Sequence, residues 1–114
     1  MPYCEFGTIK DFNTEKDYSD YEPEKYNCVS INDDYINEWW DKLVLIKTYF
    51  HCYNRPSLAL ARLGVTLIPP ESLEAFYDIV CTSYNHNSLE DLLNLMRLIR
   101  KAIVEDKYII HYGI

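Results

Sequence analysis

Glycine is scarce in this chain, which contains only Gly7, Gly64 and Gly113. Phosphate-binding loops need clustered glycines, because backbone amides must come close to the phosphate oxygens. The sequence contains no dinucleotide fingerprint, no Walker loop and no Gly-x-Ser-x-Gly nucleophile elbow. The common nucleotide-binding and serine-hydrolase motifs are therefore excluded.

Long apolar runs are also missing. The longest strongly apolar run is Leu43–Ile46, whereas a helix needs about 20 apolar residues to cross a bilayer. The first residues show no basic segment followed by an apolar stretch, and no Asn-x-Ser/Thr acceptor occurs. We therefore expect a cytoplasmic protein with no membrane partner, folded as a single domain over residues 1–114.

The sequence lacks the close ligand pairs of structural zinc sites. Neither Cys-x-x-Cys nor His-x₃-His occurs. The four cysteines are widely spaced, at Cys4, Cys28, Cys52 and Cys81. In a reducing compartment we expect four free thiols. Folding could bring His51, Cys52, Cys81 and His86 around a zinc ion, but without a close pair we predict no metal and no cofactor.

Groups suited to catalysis are few. A cysteine nucleophile needs a histidine within hydrogen-bond reach, and Cys28 with His111 is the pairing that neighbouring strands would allow. The carboxylates lie in hydrophilic runs, whereas a catalytic acid is usually withdrawn from water. We therefore expect a protein that is not an enzyme, and keep a small carboxylate- or thiol-dependent enzyme as an alternative.

Basic residues are outnumbered, with 11 Lys and Arg against 18 Asp and Glu and a net charge of −7. Because nucleic-acid binding depends on neutralising phosphates with Lys and Arg, we expect no nucleic-acid partner. The small basic cluster of Arg97, Arg100 and Lys101 lies near the end of a predicted helix. Cations there complement the negative end of the helix dipole, which favours a structural role.

The acidic residues are concentrated in the first part of the chain. Residues 1–41 carry eleven acids and three lysines, a net charge of −8, whereas residues 42–114 carry a net +1. Aromatic rings are interspersed among these acids, although solubility alone does not call for rings. Such a combination suits a surface that meets a basic partner.

Apolar periodicity and turn residues predict an α+β domain. Strands are predicted at 3–9, 26–31 and 107–112, with a long exposed loop at 10–25. Helices are predicted at about 33–51, 57–63, 71–83 and 88–105, with a short extended segment at 65–68. We expect a single small domain with three or four helices packed on a small three-stranded sheet, in the order roughly β-β-α-α-α-α-β.

The predicted binding residues come from the loop and from the first turns of the long helix. Trp39 and Trp40 point about 100° apart on a helix, so both cannot face the core centre. Trp40 continues the apolar stripe, which makes Trp39 beside Glu38 a candidate anchor, because Trp and Tyr are enriched at binding hot spots. The predicted partner-binding residues are Asp17, Tyr18, Asp20, Tyr21, Glu22, Glu24, Glu38 and Trp39.

The leading functional hypothesis is a small acidic protein-binding inhibitor. We expect an immunity protein that neutralises one basic cognate toxin domain, such as a nuclease, by occluding its active or binding surface. Acidic residues would steer the encounter, and tyrosine and tryptophan rings would then be buried. Two further alternatives remain: a phage-type inhibitor that mimics nucleic acid, and a subunit of a larger assembly that uses the apolar face of 88–105. The oligomeric state is not fixed by the sequence.

Overall fold

The computed structural model describes residues 3–87 and 89–113. Within these residues the chain forms six strands and three α-helices. The strands are β1 (Tyr3–Ile9), β2 (Val29–Asn32), β3 (Lys47–Phe50), β4 (Pro56–Leu58), β5 (Gly64–Ile68) and β6 (Tyr108–Gly113). The helices are α1 (Asp34–Leu43), α2 (Leu73–Asn87) and α3 (Glu90–Glu105). No helix in the described ranges is long and apolar enough to cross a membrane.

All six strands join one antiparallel sheet in the order β2-β1-β6-β5-β3-β4. At its centre β6, which comes last in the chain, pairs with β1 so that Phe6 lies opposite His111. β2 forms one edge of the sheet, beside β1, with Tyr3 opposite Asn32. The start of β1 and the end of β2 therefore lie at the same end of the sheet.

The two faces of the sheet are covered in different ways. Because side chains alternate along a strand, Phe6 and Ile109 point to the helices, and Ile110 and Tyr112 point to the other face. The main core lies between the sheet and the helices, where α3 buries Leu92, Leu95, Ile99 and Ala102. The apolar face of 88–105, suggested above as an assembly interface, is thus largely used inside the domain.

The second face is covered by the segment 10–27, hereafter the covering loop. Tyr18 and Tyr26 from this loop pack against Val65, Leu67 and neighbouring residues of the sheet. Gly7 of β1 lies directly beneath it, and a Cβ there would approach the Tyr26 Cβ to 2.7 Å. A sheet that is apolar on both faces requires such a cover, because its second face would otherwise expose aliphatic side chains to water.

The predicted α+β class is confirmed, but the three-stranded sheet and the order with four helices are wrong. The helix predicted over 33–51 ends at Leu43, and residues 47–50 form β3. Ile46 and Phe50, four residues apart, fit the helical period, but four residues are also two strand periods. Pairing with β5 selects the strand, and residues 47–50 contain the β-favouring Thr, Tyr and Phe.

The short helix predicted at 57–63 is also wrong, since β4 and a loop occupy this region. Gly64 does not end a helix; it begins β5 with φ +110°, and a Cβ there would lie 2.9 Å from the His51 ring. The strand predicted at 3–9 is confirmed, and it pairs antiparallel with β2. Residues 1, 2 and 114 of the predicted domain, and residue 88 at the predicted start of the last helix, lie outside the described residues.

Candidate protein-binding surface

Tyr18 holds the covering loop against the sheet. Its side chain is 4% exposed, and its ring stacks on Phe12 with 5.4 Å between ring centroids. Phe12 stacks in turn on Tyr108 at 3.6 Å. The Tyr18 backbone N–H donates to the His51 carbonyl over 2.7 Å. Tyr18, predicted to contact a partner, therefore belongs to the buried apolar cluster on the second face of the sheet.

Tyr21 has the opposite placement and is 64% exposed. Its hydroxyl donates to the Glu5 carboxylate, and this hydrogen bond raises the pKa of Tyr21 to about 12. Its ring and that of Tyr112 are nearly perpendicular, at an interplanar angle of 77° with 4.9 Å between centroids, and the Tyr112 hydroxyl accepts the Glu22 backbone N–H over 3.2 Å. Tyr21 is thus a neutral ring that is oriented on the surface without being covered.

The acids of the covering loop do not form one cluster. Asp17 is exposed, and hydrogen bonds to its carboxylate from the Ser19 side chain and from the Ser19 backbone N–H, the latter over 2.9 Å, lower the pKa of Asp17. It also lies close enough to His51 and Arg55 for their charges to lower this pKa further. Asp17 is therefore engaged locally, on the side of the loop next to those two residues.

The other three loop acids flank Tyr21 in the sequence. Asp20 and Glu24 are exposed. Glu22 is half-buried and forms an ion pair with Lys25, with 3.6 Å between the Lys25 Nζ and the Glu22 Oε2. These acids add negative charge beside Tyr21, and the ion pair with Lys25 offsets part of it.

Glu38 lies on a groove of about 460 Å³ at the end of the sheet where β1 begins and β2 ends. The groove is lined by Tyr3, Asn32, Asp34, Tyr35, Glu38, Leu89 and Asp91. Three of these are carboxylates, and none of the described lining residues is cationic. Residues three and four apart share a face of a helix, so α1 presents Asp34, Tyr35 and Glu38 together. The start of α3 supplies the opposite wall.

Trp39 supports this groove from inside and is itself only 4% exposed. Its ring stacks on Tyr35 with 5.5 Å between centroids and an interplanar angle of 24°. Trp40, the next residue in the sequence, is half-buried. The Arg62 guanidinium carbon lies over its ring, 4.4 Å from the ring centroid. Trp39 is therefore part of the core behind the groove, and Tyr35, which stacks on it, lines the groove.

The groove and Tyr21 are linked through β1. Tyr3 and Glu5 are two residues apart on β1, so their side chains leave the same side of the strand, and Glu5 holds Tyr21. Tyr3 is 49% exposed and Leu89 is 48% exposed, so apolar area is available among the carboxylates. We call this the acidic tyrosine surface; it consists of Tyr3, Glu5, Tyr21, Asp34, Tyr35, Glu38, Leu89 and Asp91.

The carboxylates of the groove act on the same ring. Burial raises the pKa of Tyr35, and the negative charges of Glu38 and Asp91 raise it further. Asp34 and Asp91 lie in the first turns of their helices, where the dipole stabilises an acid. Glu38 lies outside the first turn, between Asp34 four residues earlier, which repels it, and Lys42 four residues later, which attracts it, each by about 0.2–0.5 kcal/mol. The two effects are of similar size and opposite sign, so Glu38 has little net effect on helix stability.

Of the eight predicted binding residues, the structure brings Tyr21 and Glu38 onto the acidic tyrosine surface, with Asp20, Glu22 and Glu24 near Tyr21 along the chain. The binding role of all eight stays a prediction. The prediction omitted Asp34 and Tyr35, although their one-turn spacing from Glu38 was a usable signal. Leu89 and Asp91 come from a distant part of the chain, and no local pattern connects them with Glu38.

The residues considered for catalysis are not brought together. His111 is buried and packs on Phe6 at 4.7 Å between ring centroids, on the helix side of the sheet. Cys28 packs with the cluster on the opposite face, and burial raises the pKa of Cys28 to about 12. Cys28 and His111 therefore do not form a nucleophile–base pair.

The cysteines and histidines form no metal site that the described ranges reveal. All four cysteines are free thiols. No group of three or more His, Cys, Asp or Glu side chains among the described residues could hold a metal ion. His51, Cys52, Cys81 and His86 accordingly do not converge.

No protein-family model matches this chain, and neither a curated protein nor a solved structure matches it. A functional proposal therefore depends on the chemistry of the acidic tyrosine surface.

Proposed function

We propose that this chain is a small inhibitor that binds one basic protein through the acidic tyrosine surface and occludes that partner's active or binding surface. In its specific form the partner is a toxin domain, the inhibitor is an immunity protein, and the complex forms in the cytoplasm. The observation that carries the proposal is the groove itself. Three carboxylates line it together with exposed Tyr3 and Leu89, without a neutralising cation among its described lining residues.

A lysine or arginine side chain of the partner suits this groove. Asp34, Glu38 and Asp91 offer acceptors for charge-assisted hydrogen bonds, which are stronger than neutral ones. Tyr35 offers a ring to the same cation, and a cation–π contact contributes up to about 2 kcal/mol when water is excluded. Leu89 and Tyr3 can bury the aliphatic part of the side chain.

The surroundings of the groove support rapid encounter with a basic partner. The chain has a net charge of −7, and Asp20, Glu22 and Glu24 extend the negative charge beside Tyr21. Such complementarity raises the association rate more than it raises the affinity. Tyr21, held by Glu5 and Tyr112, is preorganised as an anchor, so little side-chain entropy is lost when it is buried.

The proposal is tested with a charge-reversed variant and a matched control. Glu38→Lys with Asp91→Lys changes the groove, whereas Glu74→Lys with Asp78→Lys makes the same charge change at exposed positions of α2. The wild-type chain is used to capture a partner from the source organism. The purified partner is then measured by biolayer interferometry at 50 and 200 mM salt. We expect association at least tenfold slower for the groove variant, a rate within twofold of wild type for the control, and slower association at higher salt.

Inhibition is measured separately, as the partner's own activity with and without the chain. We expect the wild-type chain to suppress that activity and the groove variant to leave most of it. A captured partner that binds wild type and groove variant equally well would remove this surface from the mechanism. Undiminished partner activity in a saturated complex would exclude inhibition. Circular dichroism spectra of both variants check that they are folded.

A further inference from the structure

The opposite end of β1 carries the reverse charge. A cavity of about 270 Å³ opens where β1 ends and the loop before β2 returns. It is lined by Thr8, Lys10, Tyr26, Asn27, Arg97, Leu98 and Lys101. Three of these residues are cations and none of the described lining residues is an acid. This is unusual in a chain with a net charge of −7.

A second cavity adjoins the first. It has a volume of about 360 Å³ and shares Thr8, Lys10, Tyr26 and Asn27 with it. It adds Lys16 and Lys25, and Asp11 is the acid among its described lining residues. We call the two cavities together the basic groove. Lys10 lies at their junction.

The position of Arg97 and Lys101 on α3 removes the structural explanation suggested by the sequence. α3 continues to Glu105 and has no basic residue in its last turn. The dipole favours cations only within about one turn of the helix end. Arg97 and Lys101 lie before that turn, so neutralising the dipole does not account for them.

Internal ion pairs do not account for the cations either. Among the described residues, the ion pair within 4.0 Å is that of Lys25 with Glu22. The Lys16 Nζ lies over the Tyr18 ring, 5.0 Å from its centroid. Lys10, Arg97 and Lys101 have no acidic partner in the described part of the chain, so their positive charges are uncompensated within the cavity.

The backbone positions of the three cations are fixed by the fold. Arg97 and Lys101 are four residues apart on α3, which places both on one face of the helix. The Lys10 backbone carbonyl accepts a hydrogen bond from the Lys107 Nζ over 2.8 Å, which ties the loop to the chain before β6. Convergence of these cations is thus a property of the fold.

We propose that the basic groove binds a ligand with two or more linked phosphate groups, with Lys10, Arg97 and Lys101 as its main contacts. Gathering like charges is unfavourable unless an anion compensates them. A guanidinium donates two parallel hydrogen bonds to phosphate oxygens, and ammonium groups add compact positive charge. Because the two cavities share Lys10, one phosphate group in each cavity would contact it. This site is separate from the acidic tyrosine surface and does not depend on its function.

The test is an NMR titration of the ¹⁵N-labelled chain with sodium tripolyphosphate, repeated with ATP and with sodium sulfate at equal ionic strength. We expect saturable shifts at Thr8, Lys10, Asn27 and residues 97–101 with tripolyphosphate, and no saturation with sulfate. Equal binding of ATP supports recognition of the phosphate chain alone. Tighter binding of ATP supports a nucleotide as the ligand.

Two variants with the same charge change provide the control. Arg97→Gln with Lys101→Gln removes two groove cations, whereas Lys42→Gln with Lys47→Gln removes two exposed lysines elsewhere. We expect tripolyphosphate affinity to fall at least fivefold in the groove variant and to stay within twofold of wild type in the control. Equal losses in both variants would mean that net charge, and not the groove, attracts the anion, which overturns the proposal.

Three other results would also overturn it. The first is the absence of saturable shifts with tripolyphosphate. The second is binding of a single-stranded oligonucleotide where tripolyphosphate does not bind, which would indicate a nucleic-acid site. The third is a dimer in sizing chromatography that dissociates in the groove variant, which would place the acids of a second copy in the groove.

Discussion

His111 shows how burial decides the chemistry of a single side chain. It is 1% exposed, and neither ring nitrogen has a hydrogen-bond partner among the described residues. Burial lowers the pKa of His111 to about 3, because the charged form would have to leave water. The imidazole is therefore neutral near pH 7 and acts as an aromatic ring packed on Phe6.

Replacing His111 should change how stability depends on pH. Between its usual pKa of 6.5 and about 3, the unfolded chain takes up a proton that the folded chain does not. The contribution of buried His111 to the free energy of unfolding is therefore fully present above pH 6.5. It falls by about 1.4 kcal/mol for each pH unit below 6.5. From pH 7 to pH 5, wild type should lose about 2 kcal/mol more than His111→Phe.

Urea unfolding at the two pH values measures this difference. The carboxylates contribute alike to both proteins, so the comparison isolates the histidine. Equal losses in wild type and His111→Phe would show that His111 titrates freely in the folded state.

At the scale of an element, the covering loop departs most from what its composition suggests. A polar stretch with many acids predicts an exposed loop. Two of its own residues, Tyr18 and Tyr26, are nevertheless buried against the sheet. Tyrosine permits both placements, because its ring packs while its hydroxyl remains hydrogen-bonded. Most of the acids face water, and the rings cover a sheet face on which the described residues form no α-helix.

Phe12→Ala should loosen this loop without unfolding the domain. The substitution removes the ring between Tyr18 and Tyr108, and we expect the loop to open more easily by about 1–2 kcal/mol. Trypsin cleavage after Lys16 should then be about tenfold faster, as followed by mass spectrometry. Thr14→Ala, at an exposed position of the same loop, is the control. Unchanged cleavage in Phe12→Ala would show that the stack does not hold the loop.

The whole molecule carries opposite charge at the two ends of β1 and α3. The acidic tyrosine surface includes Asp91 near the start of α3, and the basic groove includes Arg97 and Lys101 further along. β1 has 7 residues, so the two ends are separated by about 20 Å. This exceeds the Debye length of about 8 Å at physiological salt. The two sites should therefore act independently.

Independence can be measured with the variants already described. Glu38→Lys with Asp91→Lys should reduce association with a basic partner and leave tripolyphosphate affinity within about twofold of wild type at 150 mM salt. Arg97→Gln with Lys101→Gln should have the reverse effect. If each pair of substitutions changed both affinities equally, the two ends would be parts of one electrostatic site.

The sequence alone determined the features that depend on short-range pattern. The α+β class, the strand at 3–9 and the helix containing Leu92, Leu95 and Ile99 follow from periodicity and turn residues. The concentration of acids before residue 42 is likewise visible without a structure. These features can be predicted because the period of a strand or a helix is visible in residues that are close together in the sequence.

Only the tertiary structure decided the size of the sheet and the composition of its surfaces. Residues 47–50 become a strand because β5 pairs with them, and Tyr18 is buried because an uncovered sheet face lies below it. Glu38 and Asp91 line the same groove, and Lys10 and Arg97 line the same cavity, although each pair is far apart in the sequence. No local sequence pattern predicts these placements, because strand pairing and the burial of each sheet face depend on contacts between residues that are distant in the sequence.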